Sequence, residues 1–334
     1  MKLITFEIPG GLRLGALRGM HDDLIVDLAA GATAIGRSAA GGLSSMLELI
    51  ESGPAALDLV REILDTAANA AGSWASIPAE AVKWRSPLPV PPQLRDCLMF
   101  EEHLLNSYAR LRQTLASQQP DPAAALADFE ARGVYGVPPV WYDIPLYYKA
   151  NRFSFIGTDE DIIWPEYTNK LDFELEYACV LNSRTKDVDV VEAEKRIFGY
   201  TIFNDVSARD VQSIEMQGQL GPSKGKDFDT GNVLGPCIVT ADAVDPSDMT
   251  MIARINGEEW CRGNTGSAYW SFAEVISHMS RDETLVPGEL IGSGTVGGGC
   301  GLEHGRFLNP GDLIELEVEG IGVLRNRVVR KSRA

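Results

Sequence analysis

Positive charge is what this chain is short of: 30 Lys and Arg stand against 47 Asp and Glu, a formal net charge of −17. Phosphate backbones and anionic lipid surfaces repel such a chain, so neither nucleic acid nor a membrane is expected as a partner. Paired cysteines are missing as well. Cys97, Cys179, Cys237, Cys261 and Cys300 are scattered singly, with no CxxC and an odd total, which argues against a disulfide framework or a thiolate zinc site and for a reducing cytoplasm. No apolar run approaches the roughly 20 residues of a membrane-spanning helix. The segment MKLITFEIPGGLRLGAL meets Glu7 and Pro9 before a signal-peptide core can build, so a cytoplasmic location is the expectation. GPSKGKDFDTG lacks Walker spacing and no GxSxG elbow occurs, which removes nucleotide and serine hydrolases. A formal GxGxxG at Gly292, Gly294 and Gly297 leads into further glycines rather than a helical run, so a dinucleotide fold is rejected too.

What is present suits a large buried core: 334 residues with 45% hydrophobic content, enough for one big domain with a small appendage. Short β-like runs (LITFEI, LRLGAL, LIVDL) alternate with turns over residues 1–35, and residues 43–71 carry the spacing of two helices. The second is predicted to begin at Pro54, after the break Ser52-Gly53. Pro87, Pro89, Pro91 and Pro92 mark a boundary segment without regular structure. Residues 102–135 read as helical, with Asp121 as a cap and Pro122 in the first turn. From Leu171 strands and turns dominate; in DLIELEVEGIGVLRNRVV apolar and acidic residues alternate, and Arg325 and Arg327 are placed to face Glu315, Glu317 and Glu319. The sum is a β-rich α+β protein.

Several segments can carry chemistry. In LDFELEY, Glu174 and Glu176 stand two apart, so in a strand both carboxylates leave one face while Phe173, Leu175 and Tyr177 leave the other. Like charges on one face repel, and a hard divalent cation reverses that repulsion. Glu315 and Glu317 repeat the pattern where a solvated strand face is the ready explanation, so the first pair keeps both readings. Asp205 ends an apolar run in IFGYTIFNDVSARDVQ; with Asn204 it can grip a ligand or cap the next turn, and Arg209 and Gln212 stay equally open. Of the four histidines, His103 follows Glu101 and Glu102 just beyond the proline segment, a placement that suits a base, although lone histidines are commonly structural.

In order, the chain carries Asp96-x6-His103, Glu174-x-Glu176, Asn204 to Gln212 (NDVSARDVQ), Lys226-Asp227-Phe228-Asp229-Thr230, and Ser293-Gly294-Thr295 followed by Glu303. Jointly these blocks resemble the fumarylacetoacetate hydrolase family over about residues 86–334. The resemblance implies a mixed β-sandwich roll catalytic domain over 86–334, preceded by a small N-terminal α/β domain over 1–85. It implies that Asp96, Glu174, Glu176 and Asp205 hold one divalent metal, Mg²⁺ or else Mn²⁺ or Ca²⁺. His103 is then the general base oriented by Glu303, while Lys226, Gln212 and Thr295 contact substrate or a developing oxyanion. Arg112 and Tyr148 match substrate-binding positions, and residues 104–140 a lid. The chain departs from the pattern at Leu98 and Met216, where tyrosines are expected. The activity implied is metal-dependent C–C hydrolysis of a small β-diketo acid, an acylpyruvate or a fumarylacetoacetate-like compound, by a homodimer. Decarboxylation, isomerisation or tautomerisation, and sugar-acid dehydration are rivals at the same site; a catalytically silent metal- or ligand-binding protein is a rival of another class.

Overall fold

The computed structural model describes residues 1–19, 21–38, 41–69 and 76–331. The apolar runs LEYACVL and IFGYTIFND form the strands Leu175–Leu181 and Ile197–Asp205, buried along their whole length. They pair antiparallel, with Leu175 opposite Asn204 and Glu176 opposite Phe203. Both lie within a 12-stranded mixed sheet. On one side follow Asn232–Thr240, Lys2–Ile8 and Gly11–Arg18; on the other follow Leu290–Gly292, Leu94–Cys97 and Tyr147–Lys149. The pairing of Leu290–Gly292 with Leu94–Cys97 is parallel, its neighbours antiparallel.

Near-continuous apolar strands result because both faces of this sheet are covered. One core lies between it and a five-stranded sheet, where Leu175, Tyr177 and Ile202 meet Met251, Leu316 and Leu324. On the opposite face Ala178, Val180 and Phe203 share a second core with Leu49, Val60 and Ile63 from N-terminal helices. This mixed α/β arrangement with large mixed sheets agrees with the β-rich α+β class read from the sequence.

The two expected N-terminal helices are Met46–Ser52, capped by Ser45, and Pro54–Asn69; residues 70 and 71 of the expected helical stretch lie outside the described residues. LIVDL is only partly a strand, because Asp27 at the end of Leu24–Asp27 caps an additional helix, Leu28–Ala34. The sheet runs across the proline segment: Lys2–Ile8 pairs with Lys83–Arg85 and also with Asn232–Thr240. In the C-terminal half, Ser271 and Glu274 form a capping box that starts the helix Phe272–Met279, a signal passed over in reading strands there. Glu315 and Arg325 are opposite in register, yet Arg325 Nε donates to Asp159 (2.8 Å) and Glu317 is taken by Arg254 (2.6 Å). All five cysteines are free and buried. Among the described residues no helix is long and apolar enough to cross a membrane.

Helices Glu101–Ala116, Pro122–Ala131 and Val140–Asp143 follow the strand that carries Asp96, with Asp121 and Pro122 in the expected capping roles. The last is pinned by Trp141, a fully buried side chain whose Nε1 donates to the Leu98 carbonyl at 2.7 Å. Its ring lies 4.9 Å from those of both Tyr142 and Tyr269, and its own carbonyl accepts from Trp270 Nε1 at 3.1 Å. Trp141→Phe retains an aromatic ring, gives up part of the indole volume and strands the Leu98 carbonyl, so it is expected to cost about 1–3 kcal/mol in urea denaturation. Trp141→Ala is expected to cost about 3–5 kcal/mol. Urea midpoints for the two variants check both figures and their order.

Candidate active site

The sheet assembles the acids in a row. Asp96 sits near the end of Leu94–Cys97, opposite Gly292 on one side and Tyr148 on the other. Glu176 lies on the adjoining Leu175–Leu181, and Glu174 precedes that strand, bridged to Cys300. Asp205 ends Ile197–Asp205. The sequence left Glu174 and Glu176 open between a cation pair and a solvated face; at 5% and 0% exposure they are interior groups, whereas Glu315 and Glu317 are half-buried. Asp96, Glu176 and Asp205 each offer an oxygen within 4.8 Å of the others.

Gly292 is what leaves room for them: a Cβ there would collide with the Asp96 carboxylate and press on Glu176 Oε2 at 3.2 Å. Glu176 accepts from Gly294 N at 3.1 Å and Thr295 Oγ1 at 3.4 Å. Tyr148 Oη donates to Asp205. Lys226 Nζ bridges Glu174 (2.6 Å) and Asp205. Arg209 Nη2 lies 2.8 Å from Glu174, and Arg209 Nη1 donates to Gln212 Oε1 at 2.9 Å.

Burial first, then the neighbouring Asp205 charge, pushes the Asp96 carboxyl up to about 8. Glu176 is raised well above the ordinary range by burial and by Asp96, and Asp205 is raised by burial against the pull of Lys226. Glu174 goes the other way: despite burial, Lys226 and Arg209 bring it down to about 2, with His103 near enough to contribute. Lys226 remains an ammonium, since Asp205 and Glu174 outweigh its desolvation. The donor set suits a hard divalent cation. Asp96 Oδ1 and Asp205 Oδ1 are buried with no hydrogen-bond donor, and such orphaned carboxylate oxygens are what a cation preferring oxygen ligands satisfies.

Beside the cluster His103 Nδ1 stands 2.8 Å from Glu303 Oε1. Glu303 also accepts from Asn106 Nδ2 (3.0 Å) and Gly298 N (2.6 Å), and despite burial these bonds hold its carboxyl below the usual range. This is the geometry of a histidine fixed as an Nδ1–H tautomer, leaving Nε2 to accept a proton. Arg112 donates to the carbonyls of Tyr135 (2.8 Å) and Val134 (3.5 Å), joining the helix Glu101–Ala116 to the segment after Pro122–Ala131. Leu98 accepts the Trp141 bond through its backbone, and Met216 is half exposed.

Asp172 escaped the reading of the sequence. It is fully buried and bonded to Arg209 Nε at 2.8 Å. A signal existed in the spacing, because Asp172, Glu174 and Glu176 stand at every second position.

Fold and site together define a class: a mixed-sheet protein with a buried carboxylate cluster, fit for a divalent cation, beside a histidine–carboxylate pair. The family model Fumarylacetoacetate (FAA) hydrolase C-terminal matches residues 122–329, and the chain belongs to this family. Among curated relatives, a mitochondrial oxaloacetate tautomerase of Bos taurus is 35% identical over 189 residues, which are 55% of this chain. The match spans 59% of that bovine protein. A fumarylacetoacetate hydrolase from psychrophilic Exiguobacterium antarcticum superposes with a TM-score of 0.72 at 25% identity, covering 99% of this chain and 100% of that one. A maleylpyruvate hydrolase from Sphingobium sp. SYK-6 superposes with a TM-score of 0.70 at 22% identity over 99% and 100% of the two chains, a likeness of fold.

The raised acids make stability depend on pH in a definite direction. Asp96 titrates at about 8 in the fold against 3.8 for the free side chain, so between those values the folded protein holds more protons and loses stability as pH rises. Glu174 contributes the opposite slope, but only below the carboxylate range. Metal-free protein is therefore expected to melt at falling temperature from about pH 5 to about pH 8, with Mg²⁺ or Mn²⁺ raising the melting temperature more at the upper end. Differential scanning calorimetry with and without the cation reads both slopes. Gly292→Ala is expected to weaken Mn²⁺ binding by about tenfold or more, the equivalent of about 1.4 kcal/mol, as read by isothermal titration calorimetry.

Proposed function

We propose that this protein is a C–C bond hydrolase acting on a small β-diketo acid of the acylpyruvate or fumarylacetoacetate type. The observation that carries the reading is the His103–Glu303 pair set beside the buried acids Asp96, Glu174, Glu176 and Asp205. A base held in one tautomer next to an oxygen-rich cation site is what water activation on an oxo acid requires. A divalent cation held by those acids, Mg²⁺ or else Mn²⁺, would polarise the oxo groups and lower the cost of an enolate leaving group.

In this reading His103 Nε2 takes a proton from water, and the hydroxide formed adds to the distal carbonyl carbon. Glu303 keeps the ring oriented and stabilises the imidazolium. The ammonium of Lys226, already charged within the cluster, faces the negative oxygen of the tetrahedral adduct. Gln212 and Thr295 contact the acid, and Tyr148 donates a hydrogen bond at the edge of the site. His103 returns its proton to the carbon of the departing enolate, giving a carboxylate and an oxo acid. The helices after residue 101 would close over the substrate and exclude bulk water.

The bovine relative supports a second reading on the same groups. In keto–enol tautomerisation of an oxo acid such as oxaloacetate, His103 moves a proton between carbon and oxygen and no water is consumed.

Protein supplied with Mg²⁺ or Mn²⁺ is offered a panel of acylpyruvates, fumarylpyruvate and oxaloacetate, and the products are identified by mass spectrometry. Two acid fragments, their formation slowed about 10²–10⁴-fold in His103→Ala, are the expected result. An isomer of unchanged mass, or loss of CO₂, would overturn hydrolysis in favour of the rival chemistries.

A further inference from the structure

The helix that carries Glu303, Gly301–His304, is a single turn, and Cys300 at its N-cap makes no side-chain capping bond. A turn this short does not hold itself in place, because nucleation costs more than so few backbone bonds return. Its two leading N–H groups are nonetheless satisfied from elsewhere. Asp172 accepts from Gly301 N at 2.8 Å and from Leu302 N at 2.9 Å, one carboxylate oxygen each. Gly301 lets the carboxylate approach, since a Cβ there would run into Asp172 and the Arg306 carbonyl.

The same carboxylate bonds to Arg209 Nε, and Arg209 reaches on to Glu174 at 2.8 Å. Asp172, Arg209 and Glu174 are all nearly or fully buried. One guanidinium thus joins the anchor of the Glu303 turn to the first of the paired glutamates. The backbone adds a second tie, with Leu175 N donating to the Gly299 carbonyl at 2.9 Å.

We propose that Asp172 is a positioning residue: by clamping the turn Gly301–His304 to Arg209 and the glutamate strand, it sets where Glu303 holds His103 relative to the carboxylate cluster. Asp172 touches neither His103 nor the reacting atoms; it acts through Glu303. The inference rests on His103 being the base oriented by Glu303. Its consequence is that the base and the cation site share one frame, so a loosened clamp displaces the imidazole while the carboxylates remain together.

The test is Asp172→Asn, whose amide can accept only one of the two N–H bonds and which leaves Arg209 with Glu174 as its remaining charge partner. The readout is the pair of ring ¹⁵N signals of His103, one of four histidines, assigned by their loss in His103→Asn. In wild-type protein they are expected to report the Nδ1–H tautomer, which the bond to Glu303 favours. The expected result is a shift of both signals toward tautomer averaging. In parallel, kcat on whichever oxo acid is turned over falls by about 10²-fold, as displacement of a reacting group by about 1 Å does, with KM held within about threefold. Unchanged ring signals in folded Asp172→Asn would overturn the proposal whatever happens to stability, since a merely structural acid would move the melting temperature alone. Should Asp172→Asn not fold, Asp172→Glu keeps the charge on Arg209 and lengthens the arm; a smaller shift of the same signals is expected, and wild-type signals overturn the clamp. Because the ring signals need no turnover, failure of every substrate tried would count against the proposed reaction and leave this result standing.

Discussion

Interior carboxylates repel one another, and the centre of this protein is arranged around that repulsion. Two unit charges about 4 Å apart interact by about 4 kcal/mol even at an effective dielectric constant of about 20. Asp96, Glu174, Glu176 and Asp205, with Asp172 behind them, share a region where water does not screen them. The cations that meet them are Lys226, which bridges Glu174 and Asp205, and Arg209, which joins Glu174 to Asp172, so Glu174 is the acid that both reach. Arg95, next in sequence to Asp96, is committed to Glu283 and Glu289. The charge is therefore compensated unevenly: Glu174 is held ionised, while Asp96 and Glu176 are left to bind protons or a divalent ion.

That imbalance explains features which otherwise look unrelated. Gly292 lies between the strands carrying Glu176 and Asp96 because any side chain would fill the space in which the oxygens converge. Both faces of the large sheet are packed by apolar side chains, which keeps water from weakening the electrostatic contrast. The histidine pair stands outside the acid cluster yet is joined to it through Arg209 and Asp172, so proton transfer and oxygen-ligand chemistry are held by separate side chains on one scaffold.

Much of this was legible from spacing. Alternation placed Glu174 and Glu176 on one strand face, and the two N-terminal helices, the helix start at Pro54 and the cap at Asp121 lie where local pattern put them. Burial was not legible, because E-L-E reads the same at Glu174 and at Glu315. What separates them is coverage of the face by residues distant in sequence, which no window of a few residues contains. The roles of Arg209 and Asp172 were hidden for the same reason: their partners are one another and a turn more than a hundred residues away. The helix Leu28–Ala34 was hidden differently, since Asp27 ends a strand and starts a helix within one apolar run.

The strand Lys2–Ile8 carries a consequence for how the chain folds. Leu3 faces Ile238 across the sheet, so the two paired strands come from segments far apart in the sequence. Pairings so remote in sequence form late and slowly. Until they do, a strand edge stays unfilled, the kind of folding intermediate that chaperones shelter.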